Sequence, residues 1–222
     1  MDISIKRNLV VPEYFNPNPW FPPYELRTSI FQEAMQDVYD FFFDVNTTLL
    51  RRGLPRLDDM LRPAAMSGII SDMLTTRIAA HSQTLTENRY FNGHPDLIVK
   101  GIYANDAVKA GTEGIEIKTT KKSGGQVDTH GARTQTMCVF VYDVDQKSEP
   151  AWARNPMIFT EVYLGPVEID DFRKNPRGEL GTRTATLDAA GIKKLRAKWL
   201  YLVPKNALMR NGNDTLAQKR HH

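Results

Sequence analysis

The apolar residues change their spacing near residue 90, and that change sets the kind of fold this chain can build. From Leu26 to Arg52, the residues Ile30, Phe31, Ala34, Met35, Val38, Tyr39, Phe42, Val45 and Leu49 recur at steps of three and four. Such spacing puts them on one stripe of an amphipathic helix, which Gly53 and Pro55 end. A second helix is predicted after Pro63, with Met66, Ile69, Ile70, Met73, Leu74 and Ile78 on one stripe. From Tyr90 the pattern shortens to strand-like runs over 96–103, 114–119, 136–144 and 157–164. A last helix is expected over 187–197, with Asp188 near its start, before the run Trp199-Leu200-Tyr201-Leu202-Val203 stops at Pro204. Helices first and strands afterwards predict an α/β chain of the α+β kind.

The segment ahead of the helices holds Pro12, Pro17, Pro19, Pro22 and Pro23 and reads as an extended arm. Its aromatics Tyr14, Phe15, Trp20, Phe21 and Tyr24 are expected to pack it onto the rest of the protein. Residues 1–62 therefore read as an arm and helical region, 63–204 as the core and 205–222 as a basic tail, together one compact domain. Cys138 has no second thiol to pair with and lies in the apolar run 137–141, so a buried core thiol is expected. No run approaches the roughly 20 apolar residues that span a bilayer, and the N-terminus lacks the apolar region of a signal peptide. The expectation is a cytoplasmic protein with no membrane partner.

The net charge of +3 is unevenly spread. Residues 173–222 hold twelve Lys and Arg against three Asp and Glu, a balance of +9 that leaves −6 for the rest. This asymmetry suits a polyanionic partner approached by the C-terminal part, or else a solvated helix face and tail.

The chemistry concentrates between His94 and Arg133. Pro95-Asp96 opens one strand-like run and Glu116-Ile117-Lys118 lies inside the next. Side chains alternate along a strand, so Glu116 and Lys118 share one face while Ile115 and Ile117 point to the other. A hairpin joining the two runs would set Asp96 beside Glu116. Two carboxylates can hold a hard cation such as Mg²⁺, and the lysine can orient a water and neutralise a phosphate.

On these residues the chain resembles the Pro-Asp…Glu-x-Lys nuclease superfamily, and more narrowly the type II restriction endonucleases. The resemblance implies a restriction-endonuclease-like αβββαβ core with a mixed central sheet, here carrying an N-terminal helical extension. It also implies a prokaryotic homodimer on double-stranded DNA, cleaving with Mg²⁺, or Mn²⁺ in its place, to leave 5′-phosphate and 3′-hydroxyl ends. Carried over by position, Asp96 and Glu116 become metal ligands with the backbone carbonyl of Ile117, and Lys118 becomes the catalytic lysine.

Asp72 and Glu87 are candidates for a third acidic group, with ordinary surface charge as the alternative. Lys121, Lys122, His130, Arg133, Lys193, Lys194 and Lys198 are candidate DNA contacts. His94 adjoins the site but stays unassigned, because imidazole is a poor ligand for Mg²⁺. A phosphate-cradling Gly loop, a paired-His zinc helix and a Gly-x-Ser-x-Gly elbow are absent from the sequence. Two other functions stay open: a structure-specific repair or recombination nuclease, and a DNA-binding module without catalysis on the same fold.

Overall fold

The computed structural model describes residues 6–19, 22–123, 125, 127–129, 131–174 and 184–207. Within them α1 spans Thr28–Arg51, α2 Leu57–Met60, α3 Pro63–His81 and α4 Ala189–Arg196. The strands are β1 Leu85–Glu87, β2 Leu97–Val99, β3 Gly114–Thr120, β4 Asp128–Thr129, β5 Gln135–Asp143, β6 Ile158–Val167, β7 Phe172–Lys174, β8 Ala185–Leu187 and β9 Trp199–Leu202. The chain is mixed α+β. Among the described residues, no helix is long and apolar enough to cross a membrane.

A six-stranded mixed sheet runs in the order β1-β2-β3-β5-β6-β9, with β3 and β5 parallel and the other pairs antiparallel. Residues 137–142 of β5 are all buried, which a strand tolerates only when both sheet faces are covered. On one face, Cys138, Phe140 and Tyr142 join a core with Ile115, Ile117 and the apolar stripes of α1 and α3. On the other, Met137, Val139 and Val141 pack with Tyr163, Leu187 and Leu195. That second layer is α4 and a small sheet ordered β4-β8-β7.

The two long helices follow their sequence periodicity. In α3, Met66, Ile70, Leu74 and Ile78 are buried at steps of four, and Pro63 occupies the first turn, where its missing N–H costs nothing. In α1, Phe31 meets Phe140 at 6.4 Å between ring centroids and Tyr39 stacks on Phe159 at 5.4 Å. The N-terminal helix thus packs within the core rather than apart from it. Alpha-helix α1 shares its core with the sheet, because its buried stripe is the cover that β5 requires.

The arm also packs inward. Phe15 bridges to Tyr201, and Asn16 N–H donates to the Leu200 carbonyl at 2.8 Å, so the arm shields the β9 edge from pairing with another chain. Trp20 and Phe21 lie outside the described residues, as does most of the basic tail. Cys138 is buried, as its apolar run implied.

Two strand expectations need correction. The run expected over 96–103 is a strand only at Leu97–Val99, since Gly101 takes a φ of +77° and the chain turns there. Leu187 belongs to β8 rather than to the last helix, which begins after the N-cap Asp188, whose side chain accepts from Gly191 N–H at 2.8 Å. Helix α3 is followed by β1, β2 and β3, whereas an αβββαβ core expects a helix after its third strand. Among the described residues between β3 and β5 there is no helix, only β4.

One glycine fixes how closely β2 and β3 approach. Gly114 has a φ of +155°, and a Cβ there would land on the Leu97 carbonyl oxygen and 2.6 Å from the Pro95 ring. Its N–H donates to the Tyr24 hydroxyl at 3.0 Å, tying the arm to the start of β3. Gly114→Ala should therefore separate the two strands and destabilise the protein by about 2–4 kcal/mol, the usual range for overpacking combined with backbone strain. Urea denaturation of the variant checks this, and a midpoint equal to wild type would refute it.

Candidate active site

The register of β2 on β3 brings the carboxylates together. Leu97 pairs with Ile115 and Ile98 with Gly114, so the next step of the ladder sets Asp96 opposite Glu116. Residues directly opposite on antiparallel strands share a face, with Cβ atoms about 5 Å apart. Asp96 Oδ2 accepts the Ile117 N–H at 2.8 Å, which extends the pairing through a side chain beyond the end of β2. The apolar Ile115 and Ile117 are buried on the helical face, leaving Glu116 and Lys118 on the other.

Glu116 is only 2% exposed, and protein donors hold both of its oxygens. Lys118 Nζ reaches Oε1 at 2.6 Å and His94 Nδ1 lies 3.2 Å from Oε2. Burial would push the Glu116 carboxyl up, but the His94 hydrogen bond and the charge and hydrogen bond of Lys118 outweigh it and hold it at about 2. Asp96 has the opposite balance. Burial, and then the Glu116 charge, raise it to about 6 against the opposing pull of Lys118, the Ile117 N–H and His94. We place the repulsion on Asp96 because Glu116 already has two compensating donors.

This donor set fits a hard divalent cation. Asp96 and Glu116 are adjacent carboxylates, Asp96 raised in part by the Glu116 charge, and the Ile117 carbonyl accepts a long 3.3 Å bond from Ser71 Oγ. Among the described residues, no group of three or more His, Cys, Asp or Glu is arranged to hold a metal. Asp96, Glu116 and the Ile117 carbonyl supply the oxygen atoms here that could hold such an ion, with water completing its shell. A cleft of about 290 Å³ opens beside Asp96, and Asp72 of α3 and Glu87 of β1 line it with Thr75 and Thr76. Both candidate acids therefore face the same space as Asp96.

The structure distributes the candidate DNA contacts unequally. Arg133 lies just before β5, and because β5 runs parallel to β3 it sits at the sheet end where the carboxylates are. Lys121 and Lys122 follow the far end of β3; at about 3.3 Å per residue, Lys121 is roughly 16 Å along the strand from Glu116. Lys121 Nζ donates to Gln146 Oε1 at 2.8 Å. Lys194 is engaged internally, 2.9 Å from Asp171 and 3.5 Å from Glu168. Lys193 is exposed on the same helix, Lys198 lays its stem over Gly165, and His130 lies outside the described residues.

Sequence reasoning missed His94. It weighed the imidazole only as a metal ligand, whereas its position two residues before Asp96 also lets it hydrogen-bond a carboxylate on the facing strand.

The raised Asp96 sets a pH dependence. A folded value of about 6 against an ordinary 3.8 means that stability is fully present below pH 4 and is lost as pH rises through 6. Asp96→Asn keeps an oxygen for the Ile117 N–H and removes the charge. In metal-free protein it should be more stable than wild type by about 1–3 kcal/mol at pH 8, with the gain vanishing below pH 4. Thermal denaturation at pH 8 and pH 4 measures the difference, and an equal or lower melting temperature at pH 8 would contradict it. Comparison with protein-family models, with curated proteins and with solved structures finds no match. The reading of the site accordingly stands on its own residues.

Proposed function

We propose that this protein is a metal-dependent endonuclease acting on double-stranded DNA, of the Pro-Asp…Glu-x-Lys kind. The observation that carries the reading is the convergence of Asp96, Glu116 and Lys118 across β2 and β3, with the Asp96 carboxylate bonded to the Ile117 N–H at 2.8 Å and Lys118 on Glu116 at 2.6 Å. Within that class we favour a type II restriction enzyme working as a homodimer, since a two-fold protein matches a two-fold DNA site.

Each group has a separate task. Asp96, Glu116 and the Ile117 carbonyl would hold Mg²⁺ or Mn²⁺, which supplies Lewis-acid polarisation of the phosphate and acidifies a water. Lys118 spends one of its three N–H donors on Glu116 and has two left to orient the water and bind a phosphate oxygen. Water attacks phosphorus in line, the bond to the 3′ oxygen breaks, and the 3′ oxygen takes up a proton. The products are a 5′-phosphate and a 3′-hydroxyl. His94 positions Glu116 by engaging its second oxygen. Digestion of plasmid and genomic DNA identifies the substrate. Discrete fragments support restriction, while cutting confined to branched or damaged DNA supports a repair nuclease, and binding without cutting supports a non-catalytic module.

Asp96→Ala and Glu116→Ala should each lower single-turnover cleavage by more than about a hundredfold yet retain DNA binding. Lys118→Ala should lose cleavage while calorimetry still detects Mn²⁺ binding. Lys118→Arg should not rescue it, since a planar fork cannot replace a compact ammonium in a crowded site. Wild-type rates in Lys118→Ala would remove the lysine from the mechanism.

The ion pairing on α4 separates two neighbouring lysines. Lys193→Gln should weaken DNA binding and lower the slope of log K against log salt by about 1, as for one phosphate contact. Lys194→Gln should leave the slope unchanged, because Asp171 and Glu168 already neutralise that ammonium. Equal slopes for the two variants would count against the assignment.

A further inference from the structure

The turn between β1 and β2, part of which lines the cleft beside Asp96, presents an aromatic side chain to solvent. Phe91 is 86% exposed and Tyr90 44%. Tyr90, Asn92 and Gly93 line the cleft together with Asp96, so Phe91 projects from between lining residues.

The turn is tightly tied down. The Asn88 side chain donates to the carbonyls of Pro95 at 3.0 Å and Val108 at 2.8 Å, and its oxygen accepts the N–H groups of Tyr90 at 3.1 Å and Val108 at 3.0 Å. Gly93 N–H closes the turn on the Tyr90 carbonyl at 2.8 Å, and Arg89 N–H bonds the Asp106 carbonyl at 2.9 Å. A Cβ on Gly93 would collide with the Val108 carbonyl oxygen and come within 2.6 Å of the Asn88 amide nitrogen. These contacts fix the backbone of the turn on both sides of Phe91. An aromatic ring held outward by a pre-formed turn needs no ordering when it binds.

The surrounding chemistry identifies what it would contact. Arg89 and Lys109 are exposed beside the turn, and the Lys109 carbonyl accepts the His94 N–H at 3.2 Å, placing that cation's backbone next to the site. Aromatic faces next to Arg and Lys are the combination that binds bases and phosphates of one nucleic-acid strand. We propose that Phe91 stacks on a nucleobase of the bound DNA, adjacent to the phosphate held at Asp96 and Glu116, an inference that rests on the nuclease reading. Stacking on a side chain requires that base to part from its neighbour, so the DNA is unstacked at the cut.

The test uses the full chain in EDTA, where binding is read without cleavage, and a DNA fragment of a few hundred base pairs as the probe. Phe91→Ala should weaken binding about five- to a hundredfold, the usual loss when a base-stacking ring is removed. Phe91→Trp should bind as wild type does, with its indole emission quenched by DNA beyond any change in the native tryptophans. Binding by Phe91→Ala within twofold of wild type, with no added quenching in Phe91→Trp, overturns the inference. If wild type cuts DNA in Mg²⁺ and that result holds, the inference falls and the nuclease reading stands. If binding depends on Phe91 but no divalent metal promotes cutting, the stacking stands and the nuclease reading falls. Wild type that does not bind DNA overturns both. Loss of self-association in Phe91→Ala with DNA binding intact overturns the inference by assigning the ring to a protein contact.

Discussion

Strand β5 is buried on both faces, and most of the architecture follows from covering it. An apolar strand of this length exposes a ladder of backbone groups and two rows of side chains, so it needs paired neighbours and two layers of cover. Strands β3 and β6 supply the pairing. Helices α1 and α3 cover one face, and α4 with the small sheet covers the other. Because β3 is parallel to β5, the chain must cross over between them, and Glu116 lies near the start of β3. There the alternation of β3 turns charged side chains away from the helical core.

The carboxylates are close because the backbone holds them there. Antiparallel pairing of β2 with β3, tightened at Gly114 and extended by the Asp96 bond to Ile117 N–H, sets two anions on facing strands. Their repulsion is uneven. Glu116 has Lys118 and His94 on its two oxygens and stays ionised, while Asp96 carries the electrostatic cost.

Rigid elements serve the cleft on every side. Asp72 of α3, Glu87 of β1 and Tyr90 of the Asn88 turn all line it. The arm reaches the same place through Tyr24, whose hydroxyl accepts the Gly114 N–H. The first sixty residues therefore support β3 as well as the core, a link between distant segments that no local pattern encodes.

The sequence by itself determined the two long helices, the strands that became β3, β5 and β6, the buried thiol, and the placing of Asp96 beside Glu116. All of these rest on periodicity or short spacing, which a residue carries in its immediate neighbours. Only the tertiary structure decided that α1 belongs to the core, that β5 lies parallel to β3, and that the run after Asp96 turns at Gly101. It alone decided that Lys194 is spent on Asp171, that His94 reaches Glu116, and that Phe91 stands exposed beside the cleft. Each of these depends on contacts between segments far apart in the chain or on which backbone groups found partners, and single-residue preferences are too weak to fix them.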